Sequence, residues 1–187
     1  MTAPSRPWLM IGMLALLPAL ASCSAESPAA DAPPSVTDDQ PAPPAEAVEL
    51  PCGAAEPAEL DAIFGTAFGD GSVGSSTITE NDLVWTADSC TWAASDTEVR
   101  VRIAGSEDFS EGFVCLEPLG IASDPEQVSG IGDQAWWLFD DFSGAEGELR
   151  VCTGETLIEV LIEAESGDSA TLRDHAVELA ELTISRL

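Results

Sequence analysis

The strongest fold signal in the chain is the run Glu98-Val99-Arg100-Val101-Arg102-Ile103. Apolar and charged side chains alternate in it without a break, so each kind occupies its own face of an extended strand. A second run, Thr156-Leu157-Ile158-Glu159-Val160-Leu161-Ile162, is also rich in strand-forming residues, but Leu161 falls on the face opposite Val160. Apolar residues on both faces predict that this strand is central in its sheet or covered from both sides.

The remaining elements are predicted from periodicity and from turn residues. A first helix begins at Pro57 and ends at Gly65, and a last helix covers 169–186. A flexible turn is expected over 69–76, and the spacing of Phe109 and Phe113 predicts a short helix within 105–120. Strands are predicted over 77–86, 89–94, 98–103, 134–139, 148–152 and 156–163. This order predicts an α+β domain, a mainly antiparallel sheet of about six strands with helices packed on one face.

The five cysteines fall into one and four. Cys23 follows an apolar segment, which leaves Cys52, Cys90, Cys115 and Cys152 for two disulfides in an oxidising compartment. A zinc site is the alternative, but the chain has no Cys-x-x-Cys pair and a single histidine. Of three possible pairings we favour Cys52–Cys90 and Cys115–Cys152, because their similar spacing lets each half of the domain close its own loop. That spacing reflects either a degenerate internal duplication or coincidence.

The N-terminal segment predicts where the protein is located. Arg6 precedes a short apolar stretch that ends in Leu20-Ala21-Ser22-Cys23. A charged start, an apolar middle and small residues at the end are typical of a secretory signal that is too short to span a membrane. The pattern resembles a bacterial lipobox, which implies cleavage after residue 22 and attachment of acyl chains such as palmitate to Cys23. The alternative is an ordinary secreted protein with a cysteine there by chance.

Three segments follow from this reading. Residues 1–22 are the signal peptide, and residues 23–48, rich in Pro, Ala and acidic residues, are expected to form a disordered tether. Residues 49–187 are long enough for one globular domain with a single core. The predicted location is the outer face of the cell membrane, with the lipid on Cys23 as the anchor.

Charge excludes one class of partner. The chain carries 34 acidic residues against 6 basic ones, a net charge of −28. Binding to nucleic acid needs clustered cations, so we expect no nucleic-acid partner. The acidity also disfavours direct binding to anionic membrane surfaces, which leaves membrane attachment to the lipid.

Several short motifs resemble one family. The lipobox, Pro51-Cys52, Cys90-Thr91-Trp92, the turn from Gly130 to Ala135 and a C-terminal amphipathic helix occur in that order. They are similar to actinobacterial lipoproteins grouped as a domain of unknown function, which in turn resemble the extracellular sensor domain of a mycobacterial serine/threonine kinase. The resemblance implies a two-layer α+β domain with two disulfides outside the cell membrane. It transfers no catalytic residues.

Candidate site residues are few. Trp136 and Trp137 are neighbours in a predicted strand and must point to opposite faces. One is expected in the core, and the other is either covered by packing or exposed as a ligand-binding platform. A calcium site formed by Asp140, Asp141, Glu146 and Glu148 lacks EF-hand spacing, so a solvated loop is preferred.

Catalytic motifs are scarce. His175 lies at the edge of the last helix's apolar stripe, and no Gly-x-Ser-x-Gly motif is present. Gly130-Ile131-Gly132 lacks the third glycine of a dinucleotide fingerprint and precedes a strand. We therefore expect no metal, no cofactor and no catalytic residue.

The expected function is a non-enzymatic, lipid-anchored binding or sensing module that takes an unknown small envelope ligand near Trp136 or Trp137. One alternative is a structural or adaptor lipoprotein that docks on another envelope protein. A third is a hydrolase that uses paired carboxylates.

Overall fold

The computed structural model describes residues 50–120 and 123–187. The predicted lipobox with Cys23, signal peptide and tether lie outside these ranges. The helices are α1 (Pro57–Phe64) and α2 (Ser169–Ile184). The strands are β1 (Ser72–Glu80), β2 (Leu83–Ala93), β3 (Thr97–Ala104), β4 (Glu126–Gln127), β5 (Gln134–Asp140), β6 (Ala145–Thr153) and β7 (Thr156–Ala164).

The seven strands form one antiparallel sheet in the order β1-β2-β3-β7-β6-β5-β4. Two meanders, β1 to β3 and β4 to β7, meet where β3 pairs with β7. The α+β class is confirmed, with one strand more than expected. The central position of β7 is also confirmed, and it explains why Val160 and Leu161 are apolar on opposite faces.

Both helices pack on one face of the sheet, which we call the helix face. Leu60 of α1 and Leu179 of α2 join the strand residues Val101, Val160 and Trp137 in one buried cluster. Pro57 begins α1 after a capping box formed by the residues at its N-terminus, and Gly65 ends it at φ +70°. Asp168 caps α2 by accepting a hydrogen bond from the Thr171 amide at 3.0 Å.

The first predicted strand, 77–86, is wrong because it runs through a turn. Asn81 and Asp82 both have positive φ and join β1 to β2 as a two-residue hairpin. The expected flexible turn over 69–76 is wrong too, since β1 begins at Ser72. Strand β1 lies at the edge of the sheet, and its residues, mainly Ser, Thr and Gly, are mostly exposed. Backbone pairing with β2 therefore holds it without an apolar pattern.

The short helix expected around Phe109 and Phe113 is absent from the described residues. A single 3₁₀ turn, Ser106–Asp108, is followed by a non-helical crossover segment, residues 109–120. The Phe109 ring stacks on Trp85 with centroids 5.6 Å apart and meets the Phe113 ring edge-on at 5.3 Å. The spacing of the two phenylalanines thus reflects aromatic packing and not helical periodicity.

The disulfides Cys52–Cys90 and Cys115–Cys152 confirm the favoured pairing. Cys90 lies in the helix-face core, whereas Cys152 lies in a second cluster with Trp85 and Phe109. A duplicated domain would relate its two halves by a twofold axis that is perpendicular to the sheet and lies between the antiparallel strands β3 and β7. Such an axis would keep equivalent side chains on the same face of the sheet. Disulfides on opposite faces therefore favour coincidental spacing over internal duplication.

Candidate functional site

The face of the sheet opposite the helices, which we call the open face, carries three rows of side chains that run across the strands. The arginine row is Trp136, Arg150, Glu159 and Arg102; the leucine row is Leu138, Glu148, Leu161 and Arg100; the carboxylate row is Asp140, Glu146, Glu163 and Glu98. Each row takes one residue from each of β5, β6, β7 and β3. Strand register alone brings these residues together.

Arg150 is the centre of the arginine row, and its side chain is only 5% exposed. Its guanidinium contacts three carboxylates, Glu80 at 2.9 Å, Glu148 at 2.8 Å and Glu159 at 2.9 Å. Arg102 adds a longer contact of 3.4 Å to Glu159. The guanidinium carbon also lies 6.0 Å from the centroid of the Trp85 ring, a cation–π distance. The charges are therefore buried as a connected network.

Glu80 reaches this network although β2, β3 and β7 stand between its strand and that of Arg150. Four strand spacings of a flat sheet would separate them by ~19 Å. The β1–β2 hairpin therefore bends over the open face and brings Glu80 above β6. The second Glu80 oxygen accepts the Leu119 amide hydrogen at 3.0 Å, so the hairpin also holds the crossover segment.

Burial shapes the ionisation of this network. Burial raises the pKa of Glu148, and repulsion from Glu159 and Glu80 adds to it, while Arg150 opposes the rise. Burial alone would lower the pKa of Arg150, but the attraction of the three glutamates outweighs burial and raises this pKa above its ordinary value. Arg150 thus stays charged at any working pH, and burial favours the protonated form of Glu148.

An apolar cleft lies beside the network. Its volume is about 200 Å³, and we call it the leucine cleft because Leu119, Leu138 and Leu161 form its apolar wall. Its charged lining consists of Asp140, Glu146, Glu148 and Glu163. The cleft therefore offers hydrocarbon on one side and carboxylates on the other.

A second, more polar depression of about 400 Å³ adjoins the cleft and shares Glu146 and Glu163 with it. Asp96, Glu98 and Glu165 complete its acidic lining. Among the residues that the structure describes, no arginine lines either depression.

The two tryptophans have different environments. Trp137 is buried on the helix face, and its indole N–H donates to Ser169 Oγ at 2.9 Å. The ring covers Gly147, where an added Cβ would lie 2.1 Å from the indole. Trp136 is half-buried on the open face, opposite Arg150 in the β5–β6 pair. Ligand binding by these residues stays a prediction, and of the two rings Trp136 is the one on the same face as the leucine cleft.

The histidine and the acidic residues considered for calcium binding make contacts that are explained by packing and ion pairing. His175 packs against Phe64 with ring centroids 4.9 Å apart on the helix side of the sheet. Three of the four acidic residues weighed for calcium, Asp140, Glu146 and Glu148, line the leucine cleft together. Glu148 is paired with Arg150, and Asp140 accepts the Phe142 amide hydrogen at 2.7 Å. Within residues 50–120 and 123–187, no group of three or more His, Cys, Asp or Glu side chains is placed to hold a metal ion.

The glycine turn at 130–132 has a structural explanation. Gly130 and Gly132 have positive φ, and Ile131 between them is buried in the helix-face core. Asp133 then donates its amide hydrogen to the Cys152 carbonyl and accepts one from the Gly154 amide at 2.8 Å. The motif anchors the β6–β7 turn.

Sequence reasoning missed the leucine cleft. The outward side chains Arg100, Arg102 and Glu159 were visible in the alternating strands, but their alignment depends on register between distant segments. Leu119 gave no signal, because it is not part of the Phe109–Phe113 spacing from which its segment was interpreted.

No protein-family model, no curated protein and no solved structure matches the chain. Neither α1 nor α2, the helices of the described ranges, is long and apolar enough to cross a membrane.

Proposed function

We propose that this protein is a lipid-anchored binding or sensing module of the bacterial cell envelope, which holds a small amphipathic ligand without changing it chemically. The observation that carries this proposal is the leucine cleft. It is apolar, it lies on the sheet face that the helices leave uncovered, and a disulfide pins the crossover segment that supplies Leu119. Such a concave apolar site with a few polar groups is typical of small-ligand binding.

The anchor and location rest on the sequence. The lipobox ending at Cys23 predicts acylation outside the cell membrane, and two disulfides agree with an oxidising compartment. The short motifs that resemble those of actinobacterial lipoproteins and of a kinase sensor domain favour the same placement, although no protein-family model matches the chain. The Pro-rich residues 23–48 would give the domain clearance from the bilayer.

Binding without catalysis is favoured by how the polar groups are arranged. The arginines nearest the leucine cleft pair with glutamates of the same face. The single histidine of the chain lies on the other side of the sheet, against Phe64. The cleft thus presents leucine side chains and carboxylates to a ligand.

One observation favours a second candidate, a hydrolase that uses paired carboxylates. The raised pKa of Glu148 beside the acidic residues Glu146 and Glu163 is the pattern that a general acid and its partner show. Contact of Glu148 with Arg150 at 2.8 Å makes an ion-pair role the better explanation. Recovery of the bound ligand in an unchanged form would favour the binding function. Recovery of a cleaved ligand would favour the hydrolase.

The test is native mass spectrometry of the full protein extracted from its host membrane, with and without reduction. We expect a mass that includes acyl chains on Cys23, two disulfides and a co-purifying small molecule. The variant Leu119→Ser should lose that molecule and still fold, since Leu119 is 57% exposed. Leu187→Ser is the matched control, because Leu187 is also exposed and lies outside the cleft.

Two results would contradict the proposal. An unmodified Cys23 would remove the anchor. A bare protein in every preparation, or one that retains its ligand in the Leu119→Ser variant, would remove the cleft as the site and favour the adaptor alternative.

A further inference from the structure

We infer that the leucine cleft selects a small organic cation, an amine or guanidine joined to an apolar body of about the size of a phenyl ring. This inference rests on the proposed function and names the chemical class of its ligand.

The carboxylate row is unfavourable for the sheet by itself. Asp140 faces Glu146, Glu146 faces Glu163, and Glu163 faces Glu98 directly across neighbouring strands. Like charges in directly opposite cross-strand positions are destabilising. In the described residues only Glu98 of this row has an ion pair, with Arg100 at 2.8 Å. Asp140 and Glu146 accept hydrogen bonds from the Phe142 amide and the Ser143 hydroxyl, but neither they nor Glu163 have a cationic partner in this part of the chain.

The remaining arginines of the described ranges are engaged elsewhere. Arg102 and Arg150 pair within the arginine row, Arg173 pairs with Glu126, and Arg186 pairs with Glu59. No described arginine therefore supplies charge complementarity at the cleft, and a cationic ligand would supply it. The net charge of −28 adds a long-range field that concentrates cations at the surface.

The two adjoining depressions define the shape of that ligand. Leu119, Leu138 and Leu161 accept an apolar body, and Glu146 and Glu163 mark the boundary with the acidic depression. A molecule whose hydrocarbon part lies on the leucines would place its charged end at this boundary. A volume of about 200 Å³ fits one ring or a short alkyl chain.

An organic cation suits the carboxylate row better than one metal ion does. Neighbouring strands are ~4.8 Å apart, so the row covers ~14 Å from β5 to β3. A calcium ion gathers its oxygen ligands within ~2.6 Å of one point. The row is spread along a line, so an ammonium or guanidinium at the boundary would contact the neighbouring Glu146 and Glu163 and not the whole row.

The experiment compares three probes of similar size, phenethylamine, phenethyl alcohol and phenylacetate. The full lipid-anchored protein is reconstituted in nanodiscs of zwitterionic lipid, and empty nanodiscs measure partition into the bilayer. Titrations followed by ligand-detected NMR give the dissociation constants. We expect phenethylamine to bind about tenfold more tightly than the alcohol, as two partly exposed ion pairs would give. Added salt should weaken the amine alone.

The charge dependence is tested with a matched pair of double variants. Glu146→Gln with Glu163→Gln should weaken phenethylamine about tenfold and leave the alcohol unchanged. Glu155→Gln with Glu178→Gln removes the same charge from exposed positions outside the cleft and should change neither probe.

The outcomes distinguish the cationic class of the ligand from the use of the leucine cleft as a binding site. Equal binding of amine and alcohol, or preferred binding of phenylacetate, overturns the cationic class and leaves the apolar cleft as a binding site. Failure of all three probes to bind overturns both the ligand class and the proposed function. An equal loss of amine binding in both double variants also overturns the inference, because the effect would then come from net charge.

Discussion

The two faces of the sheet bury different chemistry on the same strands. The helix face is covered by α1 and α2 and holds a continuous apolar core around Val101, Val160 and Leu179. The open face holds a charged network and a cleft, covered in part by the crossover segment and the bent β1–β2 hairpin. The apolar core of the helix face stabilises the domain. The open face holds charged groups in fixed positions, and the desolvation of these groups lowers the stability of the domain.

The largest loss of unfolding free energy is expected for one of the two neighbouring tryptophans, and the other should lose clearly less. Trp137→Ala should lower the free energy of unfolding by about 4 kcal/mol, because it leaves a void above Gly147 and an unpaired Ser169 hydroxyl. Trp136→Ala, half-buried on the open face, should lower it by about 2 kcal/mol. Urea unfolding followed by circular dichroism measures both, and equal losses would contradict the contrast between the faces.

The disulfides sharpen the comparison, since one lies on each face. Their sequence separations are 38 and 37 residues, so the chain-entropy model gives each about 4 kcal/mol. Replacing Cys52 and Cys90 with Ala should therefore destabilise the protein as much as replacing Cys115 and Cys152. Only the second replacement releases the crossover segment beside Leu119, so only it should weaken probe binding to the leucine cleft at a temperature where both variants are folded. Equal loss of binding in both variants would count against the crossover segment as part of the site.

Removal of the central charge tests the open face alone. Arg150→Met should lower the free energy of unfolding by about 3 kcal/mol, because Glu80, Glu148 and Glu159 would remain close together without their shared partner. Arg173→Met is the control, since Arg173 pairs with the exposed Glu126, and its change should stay within about 0.5 kcal/mol. Similar values for the two variants would mean that the network is not effectively buried.

The smallest expected effect concerns Glu148. Its pKa in the folded state is raised above 4.5, the ordinary value that it has in the unfolded state. At a pH between the unfolded-state pKa and the folded-state pKa, the folded state therefore binds more protons than the unfolded state. The free energy of unfolding should therefore fall as the pH rises through that window. Glu148→Gln cannot ionise and should be less pH-dependent, with a stability equal to or above that of the native protein at neutral pH. A native protein that instead gains stability relative to this variant with rising pH would show that Arg150 outweighs burial.

Much of the helix face was predictable from local sequence. Pro57 and Gly65 marked the ends of α1, and the alternation around Val99 and Val101 identified the strand that became β3. These features depend on caps and periodicity, which a single segment carries by itself. The favoured cysteine pairing was also correct, but the similar spacing behind it is coincidental, since the two disulfides lie on opposite faces of the sheet.

The errors lie where packing replaces local pattern. Strand β1 has almost no apolar alternation, because it is an edge strand whose side chains are mostly exposed. The crossover segment has the spacing of a helix at Phe109 and Phe113, but stacking on Trp85 and the Cys115–Cys152 disulfide fix it in a non-helical path. The Asn81-Asp82 turn was the one missed signal that the sequence did contain.

The sequence by itself determined that β3 has an apolar and a charged face and that four cysteines pair in an acidic domain. Tertiary structure decided which charges meet. Glu80 and Arg150 are 70 residues apart and lie on strands separated by three others, yet the bent hairpin brings them to 2.9 Å. Local periodicity specifies the face of a strand on which a side chain lies. Strand order and register, which set its neighbours, arise only when the whole sheet has formed.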